Sequence, residues 1–521
     1  MLVWRYRHWG RAQRLNLFVL PPAFAALLLL LLGWSIQGAL TNHSAGKLTP
    51  TIALQYGYRL FYGADDGPIL NTIYGPLAYL VFWPTSFAAT PTGALLIAVA
   101  INILFYFVPL YLLLGTAVRE RTDVSGQLLK VTVFALVIAA TYSNPITRTI
   151  VSQVHADGPV VGLSLLSCVL LYNAGRTRTR SLAAAAILAA MAVWMKQTAI
   201  PLVIAQGFWL LVAWGWQRVS RYLLFVVMAA TLMGVVFAAI FGPEPLWFNM
   251  IVLPSRHDVA LDFERVLHSL RLIFSESLVP VLIILVAAFS VNRRTALNWR
   301  DWFRREAWVL PALLAVFVLP TNVAAHLKAG GFINNLHSNY YLLAAAATAL
   351  VQHPGVNATA LWKRAQAWVA MVLLVVGLVT TVPAITALDR MLAVARGGNP
   401  VEEAYRYARA HPGEVYFPWL PLASLMAEGR LYHFDLGVLD YHRAGLPPSA
   451  DRYRAYLPET MQYVAMPKYG GIRRHEFSTP PERLAYLRYP QVTGELVPVE
   501  QEGLQNFNVY RVEAGQSAGE Q

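Results

Sequence analysis

Four short stretches hold the residues that could do chemistry. The first is RLFYGADDGPILNTIYGPLAYL, where Asp65 and Asp66 stand side by side. Paired carboxylates can serve as general base and electrostatic stabiliser, or hold a divalent cation through oxygen ligands. Asp-Asp-Gly-Pro is also good turn chemistry. In NPITRTIVSQVHADGPVV, His155 and Asp157 lie two apart with Arg148 upstream. They can share a metal or a proton, or mark a helix start with Asp157 near the cap ahead of Pro159. The third stretch, VWMKQTAIP, presents Lys196, which can meet a lipid phosphate as a point charge or snorkel to an interface. The fourth, AAHLKAGGFINNLHSNYYLL, crowds His326, Lys328, Asn334, Asn335, His337 and Asn339 around two glycines. That density of polar groups suits a polar ligand such as a sugar or phosphate.

The elements that must position these residues are mostly apolar. The 521-residue chain is 57% hydrophobic and 13% charged, about half the charge of soluble domains. Eleven membrane spans are expected: Leu17–Ala39, Ala94–Ala117, Leu129–Ile146, Pro159–Tyr172, Leu182–Lys196, Ala199–Trp216, Tyr222–Phe241, Leu278–Val291, Trp308–Ala325, Tyr340–Val351 and Trp368–Ala387. Lys196-Gln197 divides an apolar stretch too long for one helix, which implies a tight hairpin. With the N-terminus inside, the inner connections carry nineteen basic residues and the outer ones eight, so the N-terminus is read as cytoplasmic and the C-terminal part as external. The net charge of +13 is thus a topology signal and not a nucleic-acid surface. Acidic residues are absent from every expected span, which argues against an ion or proton path. One cysteine, Cys168, excludes an intramolecular disulfide and a Cys-based zinc site.

The organisation expected is a membrane part over residues 1–389, with a long first outer loop at 40–93, an α/β unit over 390–514 and a disordered tail at 515–521. Within the α/β unit, Pro400–His411, Pro421–Glu428 and Pro480–Leu487 read as helices, and Glu414–Phe417, Tyr463–Met466 and Phe507–Val512 as strands. No glycine-rich phosphate loop follows a strand, so no nucleotide site is expected.

GYRLFYGADDGPILNTIYGPLAYL, HADGPVVGLSLLS, WMKQTAIPL and LKAGGFINNLHSNYYLL, in this order, resemble the GT-C superfamily of polyprenyl-phosphate-sugar-dependent glycosyltransferases. The bacterial members related to protein O-mannosyltransferases and aminoarabinose transferases are most similar. The resemblance implies a polytopic α-helical membrane enzyme of the bacterial cytoplasmic (inner) membrane, with a small extracytoplasmic α/β domain. It implies inverting transfer of a hexosyl or pentosyl group from a polyprenyl-phosphate sugar to an envelope glycan, lipid or protein, without a nucleotide. By the same resemblance Asp157 matches the acidic position of the second loop, and Lys196 and Lys328 match loop positions that meet the lipid phosphate. From the residues themselves, Asp65 or Asp66 is read with Asp157 as a catalytic acid, and Arg148, Asn335 and His337 as further donor-binding groups. On residue types alone, His155 with Asp157 organises the site or holds a divalent metal cation. A lipid-linked polysaccharide polymerase or ligase, and a non-catalytic glycan-binding or transport protein, are the alternative readings. One departure stands out: family members carry an acid soon after the first span, whereas HSAGKLTPTIALQYGYRLFYG has none.

Overall fold

The computed structural model describes residues 25–26, 28–117, 144–174, 178–259, 262–292, 299–351, 385, 388–389, 391–394, 398–468 and 494–513. Nearly all of the expected span Trp368–Ala387, most of Leu129–Ile146, the helix Pro480–Leu487 and the tail at 515–521 lie outside these residues.

The chain is mostly helical. Helix α1 covers Leu28–Ala39 and α2 covers Asn42–Ala53, capped by the Thr41 side chain, which accepts from the Ser44 amide. Then come α3 (Pro91–Ala117), α4 (Pro145–Ser152), α5 (Asp157–Ala174), α6 (Thr179–Met195), α7 (Ile200–Trp214) and α8 (Trp216–Phe241). The membrane portion continues with α9 (Phe263–Asn292), α10 (Val309–Leu327) and α11 (His337–Val351). Among the described residues, five helical stretches are long and apolar enough to cross a bilayer: Pro91–Thr116, Asp157–Ala174, Gln197–Trp214, Trp216–Phe241 and Val309–Leu327. The hairpin expected at Lys196-Gln197 is present: α6 ends at Met195, Lys196 is extended, and a short turn of 3₁₀ helix over Gln197–Ala199 starts the return. Helix α9 begins at Phe263, ahead of the expected span at Leu278, and so carries Glu276, whose carboxylate accepts from Asn144.

Helix α5 is packed between α3 and α6, and α11 between α9 and α10. A Cβ on Gly162 would stand 2.1 Å from the Phe105 carbonyl oxygen, so only glycine allows α3 and α5 to approach this closely. By contrast α8 turns Leu224, Val227, Leu232, Val235 and Ile240 outward. An apolar face of this extent is costly in water and at home in hydrocarbon.

Residues 400–513 contain a four-stranded sheet in the order β1 (Val415–Tyr416), β2 (Tyr463–Pro467), β4 (Phe507–Glu513), β3 (Glu495–Val499). Strands β1 and β2 run parallel, and the other pairs antiparallel. A parallel pair needs a crossover, and here it holds α13 (Pro421–Glu428), α14 (Asp435–Arg443) and α15 (Ala450–Ala455), with α12 (Pro400–Ala410) ahead of β1. The strand Glu495–Val499 and helices α14 and α15 were not expected from the sequence.

Two apolar cores dominate. One lies among α3, α5, α6, α7, α10 and α11. The other runs without a break from Leu48 and Ile52 of α2, through Ile69, Leu70 and Phe82, into Tyr416, Leu422, Phe434 and Val464. The first long loop and the C-terminal unit therefore share one interior. Phe434 N–H donates to Ile69 O at 2.8 Å and Ile69 N–H to His433 Nδ1 at 2.9 Å. The Arg452 guanidinium binds the backbone carbonyls of Ala64, Asp66 and Gly67.

Candidate functional site

The site is built where α2, α5, α6 and α11 end against the first loop. Asp157 opens α5, buried, with its carboxylate at the positive end of the helix dipole. It accepts from Lys196 Nζ at 2.6 Å, pairs with His155 Nδ1 at 2.9 Å, and accepts from Asn334 Nδ2 at 3.0 Å. Lys196 is brought there by the break between α6 and α7, and its ammonium also donates to Asn335 Oδ1 at 3.2 Å. It is buried and ion-paired, so snorkelling does not describe it. His155 Nε2 faces His43 Nε2 at 3.1 Å.

Two ammonium groups approach the ring of Tyr74, Lys47 Nζ at 5.1 Å and Lys196 Nζ at 5.2 Å from its centroid. Lys47 comes from α2 and donates to Asn71 Oδ1, and Asn71 in turn donates through Nδ2 to Asp440 of α14. Among the described residues Lys47 forms no ion pair with a carboxylate. Burial lowers its pKa to about 8 against the pull of Asp440. Asp440 is buried as well, and burial raises its carboxyl above the usual range even though His257, Lys47 and Arg443 oppose the shift. His257 Nε2–H donates to the Asp440 backbone carbonyl at 3.0 Å.

Beside the Asp157–Lys196 pair opens a small cleft lined by Asn322, Asn335, His337 and Ser338. His337 Nδ1 lies 2.9 Å from the Asn334 carbonyl, which can only accept, so the proton is on Nδ1. Its buried Nε2 is then a lone pair without a protein donor among the described residues. A hydroxyl would satisfy it.

The expected site residues divide into two sets. Asp157, His155, Lys196, Asn335 and His337 come together in one network. Lys328 lies apart from it, donating to the Pro254 carbonyl while sensing the charge of Asp440. Arg148 stacks over Trp34 at 5.1 Å. Asp65 is exposed, and Asp66 pairs with Arg59 at the surface and accepts from Gly63 N–H, with Gly67 at φ 66° closing the turn. These two acids stand in a turn clamped by Arg452, outside the network.

The donor set does not fit a divalent cation at His155 and Asp157. The Lys196 ammonium stands against one Asp157 oxygen, His155 and Asn334 engage the other, and the free His155 nitrogen faces His43. No group of three His, Cys, Asp or Glu suited to a metal occurs among the described residues.

Sequence reasoning missed Lys47, Asn71, Tyr74 and Asp440. Lys47 carried a signal, as the one Lys or Arg between the first span and Arg59. Asp440 carried little, because Gly437 weakens the helical reading of DLGVLDYHR.

No protein-family model and no curated protein matches the chain. Solved structures do. ArnT from Cupriavidus metallidurans bound to undecaprenyl phosphate superposes with a TM-score of 0.57 at 12% identity, covering 95% of this chain and 98% of that one. The chain has the ArnT fold. The apo form of the same ArnT gives 0.53 at 12% identity, covering 94% and 97%. ArnT is an aminoarabinose transferase of the GT-C superfamily, so the fold agrees with the resemblance carried by the loops. Together with the apolar helices it makes this a membrane protein.

Proposed function

We propose that the chain is an inverting membrane glycosyltransferase that moves a sugar from a polyprenyl-phosphate donor to an envelope glycan, lipid or protein. The observation that carries this reading is the convergence of two lysines, Lys47 and Lys196, on the ring of Tyr74. Lys47 is a half-buried ammonium without an ion-pair partner among the described residues, an arrangement that a ligand anion would complete. A lipid phosphate supplies the missing charge. The ArnT that shares this fold was crystallised with undecaprenyl phosphate, which supports the choice of lipid.

In this reading Lys47 and Lys196 meet the donor phosphate and stabilise it as it departs. Asp157 holds Lys196 in place, and His155 holds Asp157. His337 Nε2, Asn335, Asn322 and Ser338 are placed to take sugar hydroxyls. Lys328 and Arg148 support the surrounding loops. The topology proposed with it is eleven spans, a cytoplasmic N-terminus and the C-terminal unit outside a bacterial inner membrane, supported by the nineteen-to-eight division of basic residues.

The test uses the purified full chain in nanodiscs, undecaprenyl phosphate as ligand, and the Lys47→Met variant. Loss of one charge-assisted contact costs about 1.5–3 kcal/mol, so the dissociation constant should rise roughly 10- to 150-fold. Sugar transfer from a polyprenyl-phosphate hexose or pentose to an envelope extract should accompany binding by the unaltered chain. Absence of both binding and transfer overturns the proposal.

A further inference from the structure

If the chain is a transferase, its acceptor hydroxyl must lose a proton, and four carboxylates come into question: Asp65, Asp66, Asp157 and Asp440. Asp65 and Asp66 belong to the exposed turn. Asp157 is committed at both oxygens, to an ammonium, an imidazole and an amide. A proton delivered there would discharge the counter-ion that keeps Lys196 in position.

Asp440 is differently placed. One oxygen accepts from Asn71 Nδ2, whereas the other has Arg443 no nearer than 3.8 Å. Through Asn71 the carboxylate is one residue removed from Lys47 and so from the proposed phosphate position. Its placement is built in by a close approach. A Cβ on Gly437, one turn earlier on α14, would stand 2.6 Å from the Leu70 carbonyl carbon and 3.0 Å from Asn71 N. Only glycine lets α14 lie this near the first loop and bring Asp440 against Asn71.

We propose that Asp440, supplied by the C-terminal unit, is the general base of the transfer. This rests on the glycosyltransferase reading and adds a catalytic residue to it. The step balances as follows. Oδ1 of Asp440 takes the acceptor O–H proton, the acceptor oxygen bonds to the anomeric carbon, and the bond from that carbon to the phosphate oxygen breaks. The electron pair leaves with polyprenyl phosphate, which Lys47 and Lys196 receive, and the proton on Asp440 passes afterwards to solvent.

The environments of the two buried carboxylates support this division of labour. Asp157 is paired directly with a cation, whereas burial holds the Asp440 carboxyl above its ordinary range, closer to the pH at which a base works well. The charged groups facing Asp440 are Lys47 from α2, His257 and Lys328 from the loops, and Arg443 from its own helix, with Tyr74 and Tyr79 as nearby phenols.

The experiment compares Asp440→Asn and Asp440→Glu with the unaltered chain in nanodiscs. The asparagine keeps an oxygen for Asn71, so undecaprenyl phosphate should bind within about twofold of the unaltered chain. Turnover should fall about 10²–10⁴-fold. The glutamate should recover part of that loss, and the acid limb of the pH–kcat profile should be absent from the residual Asp440→Asn activity. Turnover near that of the unaltered chain in Asp440→Asn, or loss confined to Asp65→Asn or Asp66→Asn, overturns the assignment and leaves the transferase reading standing. Loss of undecaprenyl phosphate binding in both Asp440 variants also overturns it, because the carboxylate would then be structural. Failure of the unaltered chain to transfer sugar sinks the transferase reading itself.

Discussion

Two lysines, Lys196 buried and Lys47 half-buried, make opposite responses to mutation. Lys196 neutralises Asp157 at 2.6 Å, so Lys196→Met strands a carboxylate in the interior. Breaking a buried pair from one side costs about 3–5 kcal/mol. The double variant Lys196→Met with Asp157→Asn should recover most of that loss, read as the midpoint of thermal unfolding in detergent. Equal loss in single and double variants would mean that the pair does not hold the local structure. Lys47 has no such partner among the described residues, and its effect appears in pH. With a pKa lowered to about 8, it is charged below that pH and neutral above it. Undecaprenyl phosphate should therefore bind more weakly at pH 9 than at pH 7, and Lys47→Met should abolish most of this difference. A pH response that persists unchanged in Lys47→Met would assign it to another group. The sequence marked Lys196 as a site residue because it interrupts an apolar run. Lys47 was legible only as the one Lys or Arg between the first span and Arg59, a signal that places no ligand beside it.

At the scale of elements, the junction between the first loop and α14 carries the most constrained geometry. Gly437→Ala puts a methyl group into backbone atoms of Leu70 and Asn71, which cannot swing aside as a side chain would. Overpacking of this kind costs about 1–3 kcal/mol. Hydrogen exchange at residues 69–71 and 433–440 should rise in the variant, together with loss of activity; unchanged exchange would mean that α14 has room to move. His433 makes the same junction sensitive to acid. Its Nδ1 accepts from Ile69 N–H and its Nε2 lies 3.1 Å from the Tyr453 carbonyl, so the ring is held neutral, and burial lowers its pKa to about 3. The unfolded chain takes up a proton near pH 6.5 and the folded one does not, so stability from this group is complete above pH 6.5 and is lost progressively as pH falls towards 3. Exchange at 69–71 should be faster at pH 5 than at pH 7 after correction for intrinsic rates, and His433→Gln should flatten the response. The described helices were largely legible, because long apolar runs have few alternatives. Helix α14 was not: nine residues with a glycine in the first turn resemble a loop, and only its contact with Leu70 explains the glycine.

For the molecule as a whole, orientation is the property on which the site's access to envelope acceptors depends. A reporter fused after Asn508 should be active only in its extracytoplasmic form, as the division of basic residues requires. Activity of a cytoplasmic reporter at that position would place the site on the wrong face for an envelope acceptor. The long-range assembly was the least legible part. Nothing in the composition of residues 40–99 or 401–510 announces that they meet, since both read as self-sufficient segments, yet they share one apolar interior. That shared interior has a consequence for how the protein is made. Ribosomes add about 5–20 residues each second, and some 300 residues separate Phe82 from Val401. The apolar surface of the first loop must then wait roughly 15–60 seconds for its cover at these rates. During that interval the membrane surface or a chaperone has to shelter it, and a message cut short before residue 400 yields a chain whose first loop stays bare and open to proteolysis.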